Sequence, residues 1–519
     1  MEPFPQFLPL LGLFLSILIY TYKRTTRNTI TKSTKIALPQ PPGAQPFIGH
    51  LHRLQGKAPI ARILAKMADD YGPAYSLRLG SHRAIVVSSR QMVKDCFTIN
   101  DRNFATRPNM AVSRYMGYDS AVFALAPYGP YWREIRKLVT LELLTTHRLE
   151  KLRNVRDSEV KYLVNELSKN GGSLVDMTKW FEHLTFNIIV RMLAGKRFSD
   201  GGNDEDLQVK EAIKKGLYLS GVFVVSDLIP NLEWMDIGGH VKAMKEASKE
   251  LDGVLGKWLD EHVEKKNDYD GDIDIDKDSD FMDVMLSNLS KDAEMYGHGR
   301  DTIIKATTLI LILTGSESTS ETLTWALSLL LNNPDLLKHA QNELDINVGK
   351  TKWMEESDIK NLPYLQSIVK ETLRLYPPGP LAGPREAIDD CYIGGYHIPK
   401  GTRLIVNVWK LHRDPEVWSD PEVFRPGRFL DEHSNVGYQG QNFEYIPFSS
   451  GRRMCPASTF ALQVIHLTLG RLIQGFDLST PMGKVVDMAE GLGIALPKVE
   501  PLQVVITPRL SPELYHYDH

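Results

Sequence analysis

Cysteine is scarce in this sequence, with three residues in 519, at Cys96, Cys391 and Cys455. Cysteines so far apart cannot form a disulfide framework, and no pair has the Cys-x-x-Cys spacing of a structural zinc site. This scarcity is typical of proteins that fold in a reducing compartment. The fold must therefore be stabilised by a packed core, and a content of 42% hydrophobic residues can build one.

Nucleotide-binding motifs are also missing. No Gly-x-Gly-x-x-Gly opens a strand-to-helix unit, and no Gly-x-x-x-x-Gly-Lys-Ser/Thr occurs, so the chain has no evident place for NADPH or flavin. The net charge of −3 argues against a general nucleic-acid binder. Any electrons that the protein uses must come from another protein.

Internal repeats and long flexible linkers are absent from the body of the chain, which predicts one large domain over residues 58–519. Residues 37–57 form a proline-rich hinge and lead-in that we expect to be stiff and extended. Residues 268–280 are rich in aspartate, but neither start of a calcium-binding loop there has glycine at its sixth position. A solvated acidic connector is therefore predicted.

Residues 1–36 are predicted to form a membrane anchor helix with a basic flank. Residues 7–22 are almost wholly apolar or aromatic, and only basic charges follow them up to position 36. A cleaved signal peptide is the alternative, but Met1-Glu2 stands where a basic region is expected. The positive-inside rule places the rest of the chain in the cytosol, and the short apolar core suits the thin endoplasmic-reticulum membrane.

Helical patterns dominate the domain, and short strands are predicted over residues 74–79 and 84–88. The predicted fold class is mainly α with small β-sheets. The longest helix candidate covers residues 301–332, about 48 Å, and its apolar stretch is too short to cross a bilayer, so it is a core helix. Polar residues 314–319 interrupt it, and we expect them to disturb its backbone hydrogen bonds and open a local groove.

One loop has a spacing that core packing does not require: Phe448-x-x-Gly451-x-Arg453-x-Cys455. Gly451 allows close backbone approach, and an apolar-rich helix follows, so the Cys455 sulfur is expected near a helix N-terminus that stabilises a thiolate. Such a thiolate is a candidate iron ligand. A buried free cysteine is the alternative.

Two further pairs have helical spacing. Trp132 and Arg136 share a helix face and would suit a carboxylate, although a surface helix with a half-buried tryptophan is the alternative. Glu371 and Arg374 are three apart, which alone predicts only an ordinary helix ion pair.

These segments together resemble the cytochrome P450 superfamily of haem-thiolate monooxygenases, of the plant microsomal type. The cysteine loop resembles the family's haem-binding loop, with Ala457 where glycine is usual. The interrupted helix resembles its oxygen-activating segment. There Gly315 is expected to leave room for oxygen, Ser318 takes the usual threonine position, and Thr314 replaces a small apolar residue.

The resemblance implies haem b as cofactor, the cytochrome P450 fold, and a role for each matching residue. Cys455 would be the axial ligand of the haem iron. Glu317, Ser318 and Thr319 would deliver protons during oxygen activation. The remaining haem contacts would be Phe448, Gly451, Arg453, Trp132, Arg136 and Arg385, and a buried network of Glu371, Arg374 and Arg428 would hold the scaffold, with Gly427 replacing a more usual glutamate.

The implied partners are an NADPH-cytochrome reductase that passes on electrons from NADPH, cytochrome b5, membrane lipid, O2 and a small lipophilic substrate. Nucleic acid is not among them. Candidates for a basic docking face are Arg133, Lys137, Arg413 and Arg452, and solvated surface charge is the alternative for each.

The closest resemblance is to the branch that contains nicotine N-demethylases, on segments such as Leu375-Tyr-Pro-Pro-Gly-Pro380. It implies hydroxylation, N-demethylation or oxidative cyclisation of an alkaloid in secondary metabolism. A flavonoid or terpenoid hydroxylase is an alternative, as are a haem-thiolate isomerase or dehydratase and a haem sensor or carrier without turnover. Residues 381–383 would face the substrate, while Val222 and Phe223 line its entrance or fill core.

Overall fold

The computed structural model describes residues 36–199, 204–222, 224–268 and 279–516. The predicted anchor helix, Phe223 and most of the predicted acidic connector lie outside these ranges. Within them, no helix combines the length and the apolar character that crossing a membrane requires.

Helices make up most of the described structure. Their bounds are α1 (Ile60–Tyr71), α2 (Arg90–Phe97), α3 (Ala111–Tyr115), α4 (Pro130–Glu142), α5 (Thr146–Lys151), α6 (Arg153–Lys169), α7 (Met177–Ala194), α8 (Asp204–Gly221), α9 (His240–Asp268), α10 (Phe281–Asn288), α11 (Arg300–Leu331), α12 (Pro334–Asn347), α13 (Pro363–Leu375), α14 (Val408–Leu411) and α15 (Ser458–Gly475).

The strands form small sheets beside the helices. They are β1 (Ala74–Leu79), β2 (His82–Val87), β3 (Leu174–Asp176), β4 (Glu294–Met295), β5 (His298–Gly299), β6 (Arg385–Glu386), β7 (Cys391–Ile393), β8 (Tyr396–Ile398), β9 (Arg403–Val406), β10 (Phe476–Ser479) and β11 (Gln503–Pro508). The largest sheet has the order β1-β2-β9-β6, and its β2 and β9 are parallel with Ile85 opposite Leu404. The prediction of a mainly α fold with small sheets is confirmed.

Helix α11 is the central element, and its bounds agree to within one residue with the predicted helix. It is apolar on nearly all sides and packs against α7, α13 and α15, as expected for a helix buried in the core. The disturbed backbone predicted at residues 314–319 is not seen, because α11 is α-helical throughout, and the predicted local groove beside these residues stays a prediction. The Ser and Thr hydroxyls there donate to carbonyls one turn back, for example Thr314 to Ile310 at 2.6 Å, and the helix stays continuous.

A buried ion network joins α13 to the segment that precedes the cysteine loop. Arg374 donates to both oxygens of Glu371, at 2.7 and 2.8 Å, and Nε of Arg428 donates to Oε1 of Glu371 at 2.9 Å. All three side chains are 0% exposed. Backbone carbonyls, including that of Pro421, accept the remaining guanidinium hydrogens. One carboxylate therefore holds two cations in a place that water does not reach.

We predict that Glu371→Gln destabilises the folded protein by about 3–5 kcal/mol, because it removes the anion that the buried Arg374 and Arg428 share, and only the partly exposed Glu432, 3.5 Å from Arg428, is left. Unfolding in denaturant, followed by circular dichroism, measures the loss. The control is Glu250→Gln, since Glu250 pairs with Lys215 and the two side chains are 49% and 39% exposed, and removing it should cost less than about 1 kcal/mol. Equal losses in the two variants would contradict a structural role for the network.

Candidate active site

The Cys455 loop is held by its own backbone and by the start of α15. The N–H of Cys455 donates to the carbonyl of Phe448 at 2.9 Å, which closes the loop. Burial raises the pKa of the Cys455 thiol, while the N–H of Ala457 and the positive charge of Arg136 oppose the rise. Ala457 has φ −96°, a conformation open to any residue, so an alanine in place of the usual glycine causes no backbone strain.

Gly451 is the position in this loop that requires glycine. Its φ is +70°, and a Cβ atom there would overlap the carboxylate of Asp101. The backbone N–H of Arg452 donates to Asp101 at 2.9 Å, and the Arg452 guanidinium also pairs with that carboxylate. The close approach predicted for Gly451 is therefore an approach by Asp101.

Arg453 is buried beside Trp132. Its guanidinium donates to the carbonyls of Ala105, Phe123 and Ala126, at 2.6, 3.2 and 2.6 Å, and lies 4.4 Å from the centre of the Trp132 ring. Burial and the neighbouring cations lower the pKa of Arg453 to about 8. The acceptors of this cation are carbonyl oxygens, and its charged neighbours are cations. An added anion would therefore stabilise it.

Arg136 places a second cation at the loop. Its Nη2 donates to the carbonyl of Met454 at 2.6 Å, and its guanidinium lies 5.9 Å from the Trp132 ring. The indole N–H of Trp132 has no acceptor in the described part of the chain. Helix α4 therefore brings a cation and a free donor to the cysteine loop, as the four-residue spacing predicts.

Arg385 has the least satisfied guanidinium of this group. Its Nη2 donates to Ser449 and Ser450 of the loop, at 2.9 and 3.1 Å. Its Nε and Nη1 are buried and find no partner among the described residues. Burial, with the charge of Arg107 as a second cause, lowers the pKa of Arg385 to about 9.

Arg107 completes the cluster. Its Nε donates to the carbonyl of Ala124 at 3.1 Å and its Nη1 to that of Pro384, and burial lowers its pKa to about 10. We call Arg107, Arg136, Arg385 and Arg453 the arginine cluster. The nearby acid, Asp101, is already paired with Arg452. A buried guanidinium with unpaired donors is costly, so the cluster fits a ligand that carries carboxylates.

The polar stretch of α11 contains hydroxyls bonded to backbone carbonyls and one carboxyl with a shifted pKa. Oγ of Ser318 donates to the carbonyl of Thr314 at 2.8 Å, and Oγ1 of Thr319 to that of Gly315 at 3.0 Å. Burial raises the pKa of the Glu317 carboxyl, and the negative charge of Glu182 raises it further. Because Glu317 therefore retains a proton to higher pH than an ordinary glutamate, it is suited to proton transfer.

Two sequence-based expectations need correction. A Cβ at Gly315 would lie 3.2 Å from the side chain of Ile189, so this glycine permits close packing of α11 on α7 rather than making room for oxygen. Arg413 is 5% exposed, stacks 3.9 Å from the Trp409 ring and pairs with Glu422, so it cannot belong to a surface docking face.

The sequence profile of the family described as Cytochrome P450 matches residues 39–504. The chain belongs to the cytochrome P450 family. Its members are haem-thiolate monooxygenases that receive electrons from NADPH through a reductase, and they act with O2 on lipophilic substrates. The resemblance found in the motifs is thus confirmed over nearly the whole chain.

Individual proteins similar to this chain support the same family. A dimethylnonatriene synthase of Arabidopsis thaliana is 51% identical over 97% of this chain and 98% of its own. A xanthotoxin 5-hydroxylase of the same plant is 49% identical, over 98% and 99%. A nicotine N-demethylase of Nicotiana tomentosiformis is 47% identical, over 93% and 95%. A zebra fish cytochrome P450 solved with progesterone superposes with a TM-score of 0.75 at 27% identity, covering 87% of this chain and all of that one.

The residues present fit the haem of this family. A haem carries two carboxylates and an iron. The structure offers unpaired buried guanidinium nitrogens on Arg385, the indole of Trp132 beside the guanidinium groups of Arg136 and Arg453, and a thiol at Cys455. Sequence reasoning missed Arg107 and Asp101, which meet the cysteine loop only in the folded chain. Neither residue belongs to a recognisable motif, because each lies in a loop without a regular spacing to other polar residues.

We predict that Gly451→Ala lowers haem content severalfold, since it strains the backbone and displaces the Asp101 carboxylate. The ratio of haem absorbance to protein measures this. The matched control is Gly427→Ala, because a Cβ there lies 3.9 Å from its nearest neighbour and φ is not positive. Similar haem content in both variants would show that the Asp101 contact is dispensable.

We predict opposite effects of Arg385→Met on the two forms of the protein. Haem affinity should fall about tenfold to a hundredfold, since a charge-assisted hydrogen bond is worth about 1.5–3 kcal/mol. The haem-free protein should become no less stable, because a buried and partly unpaired cation is removed. Haem titration and thermal unfolding measure the two effects. The surface variant Arg153→Met should change neither, and a parallel loss in both forms would contradict the assignment.

Proposed function

We propose that this protein is a membrane-bound plant monooxygenase of secondary metabolism that oxidises a small lipophilic molecule, with Cys455 as the axial ligand of the haem iron. The observation that supports this most directly is the convergence of the Cys455 loop with buried, incompletely paired arginines. No carboxylate of the described chain neutralises that cluster, and a haem would supply two.

The protein residues divide the work of the site. The N–H of Ala457 and the charge of Arg136 favour the thiolate form of Cys455, while Trp132, Arg136, Arg385 and Arg453 hold the haem carboxylates. Gly451 fixes the loop, and Phe448 packs edge-on against Tyr438, with ring centres 5.8 Å apart. The bound haem supplies oxygen activation and hydroxyl transfer to carbon.

Proton supply is assigned to the polar stretch of α11. Glu317 holds a proton to higher pH than usual because it is half-buried near Glu182. The hydroxyls of Ser318 and Thr319 lie within two residues of it and can donate and accept in turn. Serine lacks the methyl group that restricts the rotamers of threonine, so Ser318 is a freer hydroxyl than the family's usual residue.

The proposed substrate class draws on the sequence and on the names of the relatives. The relatives' names include a nicotine demethylase, a xanthotoxin hydroxylase and a flavonoid hydroxylase at 47–49% identity. The alkaloid substrate drawn from the sequence remains a prediction, with flavonoids and terpenoids as alternatives. Val222 lines a cavity beside α11, which favours a pocket role for it over plain core packing.

Location and partners follow from the family and from the chain. The apolar segment with its basic flank is assigned to anchoring in the endoplasmic-reticulum membrane, with the catalytic domain in the cytosol. Arg133, Lys137 and Arg452 are assigned to a docking face for the reductase, and cytochrome b5 is a second partner for the same face. Arg452 also pairs with Asp101, which ties this face to the cysteine loop.

We predict that the reduced protein with carbon monoxide shows the red-shifted absorption band of thiolate-ligated haem, and that Cys455→Ala abolishes it. Cys391→Ala is the control, since Cys391 lies on β7 away from the loop. The same band in Cys455→Ala would refute the ligand assignment.

Turnover is tested in microsomes with reductase and NADPH against alkaloids, flavonoids and terpenoids, read by mass spectrometry. We expect product only with O2 present. Product without O2 would favour an isomerase or dehydratase, and haem binding without any product would favour a sensor or carrier.

A further inference from the structure

A cavity of 680 Å³ lies against the face of α11 that carries Glu317. Helices α7 and α8 and the loop at residues 492–497 form its other walls. Glu317 and Glu321 both line it, and their four-residue spacing places them on neighbouring turns of one face. Glu182 and His183 line the opposite side. The carboxyl of Glu321 thus lies one helical turn from that of Glu317, and both line the same cavity.

Glu321 is an unusual residue for its position. Its Oε2 atom is inaccessible and has no hydrogen-bond partner among the described residues, whereas the nearby backbone N–H of Lys498 lowers the pKa of the carboxyl group. Burial, followed by the negative charges of Glu317 and Glu182, raises the pKa of Glu321 to about 8. The carboxyl is therefore protonated at neutral pH and close enough to its titration point to release the proton.

The charged groups around the cavity leave Glu321 without a salt bridge. Three of the nearby lysines are engaged elsewhere: Lys179 with Asp176, Lys210 with the carbonyl of Ser199, and Lys498 with the carbonyl of Asp487. The other titratable groups facing the cavity are Glu182, His183, Lys214, Tyr218 and Glu317.

We propose that Glu321 is a proton-relay residue that takes protons from water in this cavity and passes them to Glu317. After Glu317 has given up its proton, the O–H bond of the Glu321 carboxyl breaks, the proton moves to the Glu317 carboxylate directly or through one water, and a proton from bulk solvent, carried along the cavity water, restores Glu321. Nothing is oxidised or reduced in these steps. The inference rests on the proposed function only in taking Glu317 as the proton source of the site.

A purely structural role is the competing explanation, because the Glu321 carboxyl also anchors the loop at Lys498. Glu321→Gln separates the two roles. The amide keeps the shape and the acceptor for the Lys498 N–H but cannot carry a proton. Glu321→Asp restores the proton at a similar place and serves as the rescue variant.

The first measurement is an infrared pH titration of the holoprotein without substrate. We expect a protonated-carboxyl band in the wild type that disappears as pH rises through about 8, and that is missing in Glu321→Gln. A band that is unchanged in this variant would overturn the proposal, because Glu321 would then hold no proton at neutral pH. This readout does not depend on turnover, so it stands even if the proposed function fails.

The second measurement is product formed per NADPH consumed, with hydrogen peroxide released, as a function of pH. In Glu321→Gln we expect coupling to fall on the order of tenfold at neutral pH, with an unchanged carbon monoxide band, and Glu321→Asp to recover much of it. Wild-type coupling should decline above about pH 8 as Glu321 loses its proton, and the glutamine variant should lack that decline.

The variants distinguish failure of the relay from failure of the proton role proposed for Glu317. Wild-type coupling and pH profile in Glu321→Gln would leave Glu321 as a loop anchor only and overturn the relay. Glu317→Gln behaving like the wild type would instead refute the proton role of Glu317, which belongs to the proposed function. Loss of the carbon monoxide band in Glu321→Gln would show that Glu321 is needed for the structure of the haem site, which would count against a relay role. Failure of Glu321→Asp to recover coupling would also count against the relay.

Discussion

The site depends on one electrostatic constraint: several guanidinium groups are buried around a cysteine loop with too few carboxylates to neutralise them. Arg453 is stabilised by carbonyls, Arg452 has Asp101, and Arg385 keeps unpaired nitrogens. In a low-dielectric interior such an arrangement is unfavourable until an anion arrives. Binding of a dianionic cofactor would neutralise the excess positive charge of the arginine cluster, and this favours affinity for such a cofactor.

The network around Glu371 also buries arginines, but there a carboxylate of the protein neutralises them. At Glu371, one carboxylate satisfies Arg374 and Arg428 with nearly every donor hydrogen placed. The two clusters differ in what completes them. The scaffold network is complete within the protein and holds α13 in place, whereas the arginine cluster lacks an anion that the proposed haem carboxylates would supply. Gly427, where the family more often has glutamate, takes no part in the balance of the scaffold network.

Local patterns in the sequence were sufficient for the parts of the site that lie within one helix or loop. The spacing of Cys455, the four-residue step from Trp132 to Arg136 and the apolar character of α11 each survive in the structure. Asp101, Arg107 and Glu321 were not predictable in the same way. Their roles arise from contacts between distant segments or from a cavity that only the packed helices create.

The errors have physical causes too. Arg413 looks like a surface cation in sequence, yet stacking on Trp409 and pairing with Glu422 make its burial tolerable. The disturbed backbone expected in α11 assumed that hydroxyls displace backbone hydrogen bonds. In this helix the hydroxyls share the backbone carbonyls instead, as Thr314 shares that of Ile310.

The bond between Asp101 and the backbone of Arg452 joins residues 351 positions apart. A contact of such sequence separation carries a large loop-closure entropy and forms late in folding. The cysteine loop therefore takes its final shape only after both ends of the domain have been synthesised and have met. On the proposed assignment of the haem to this loop, the cofactor site is therefore among the last parts of the domain to be completed.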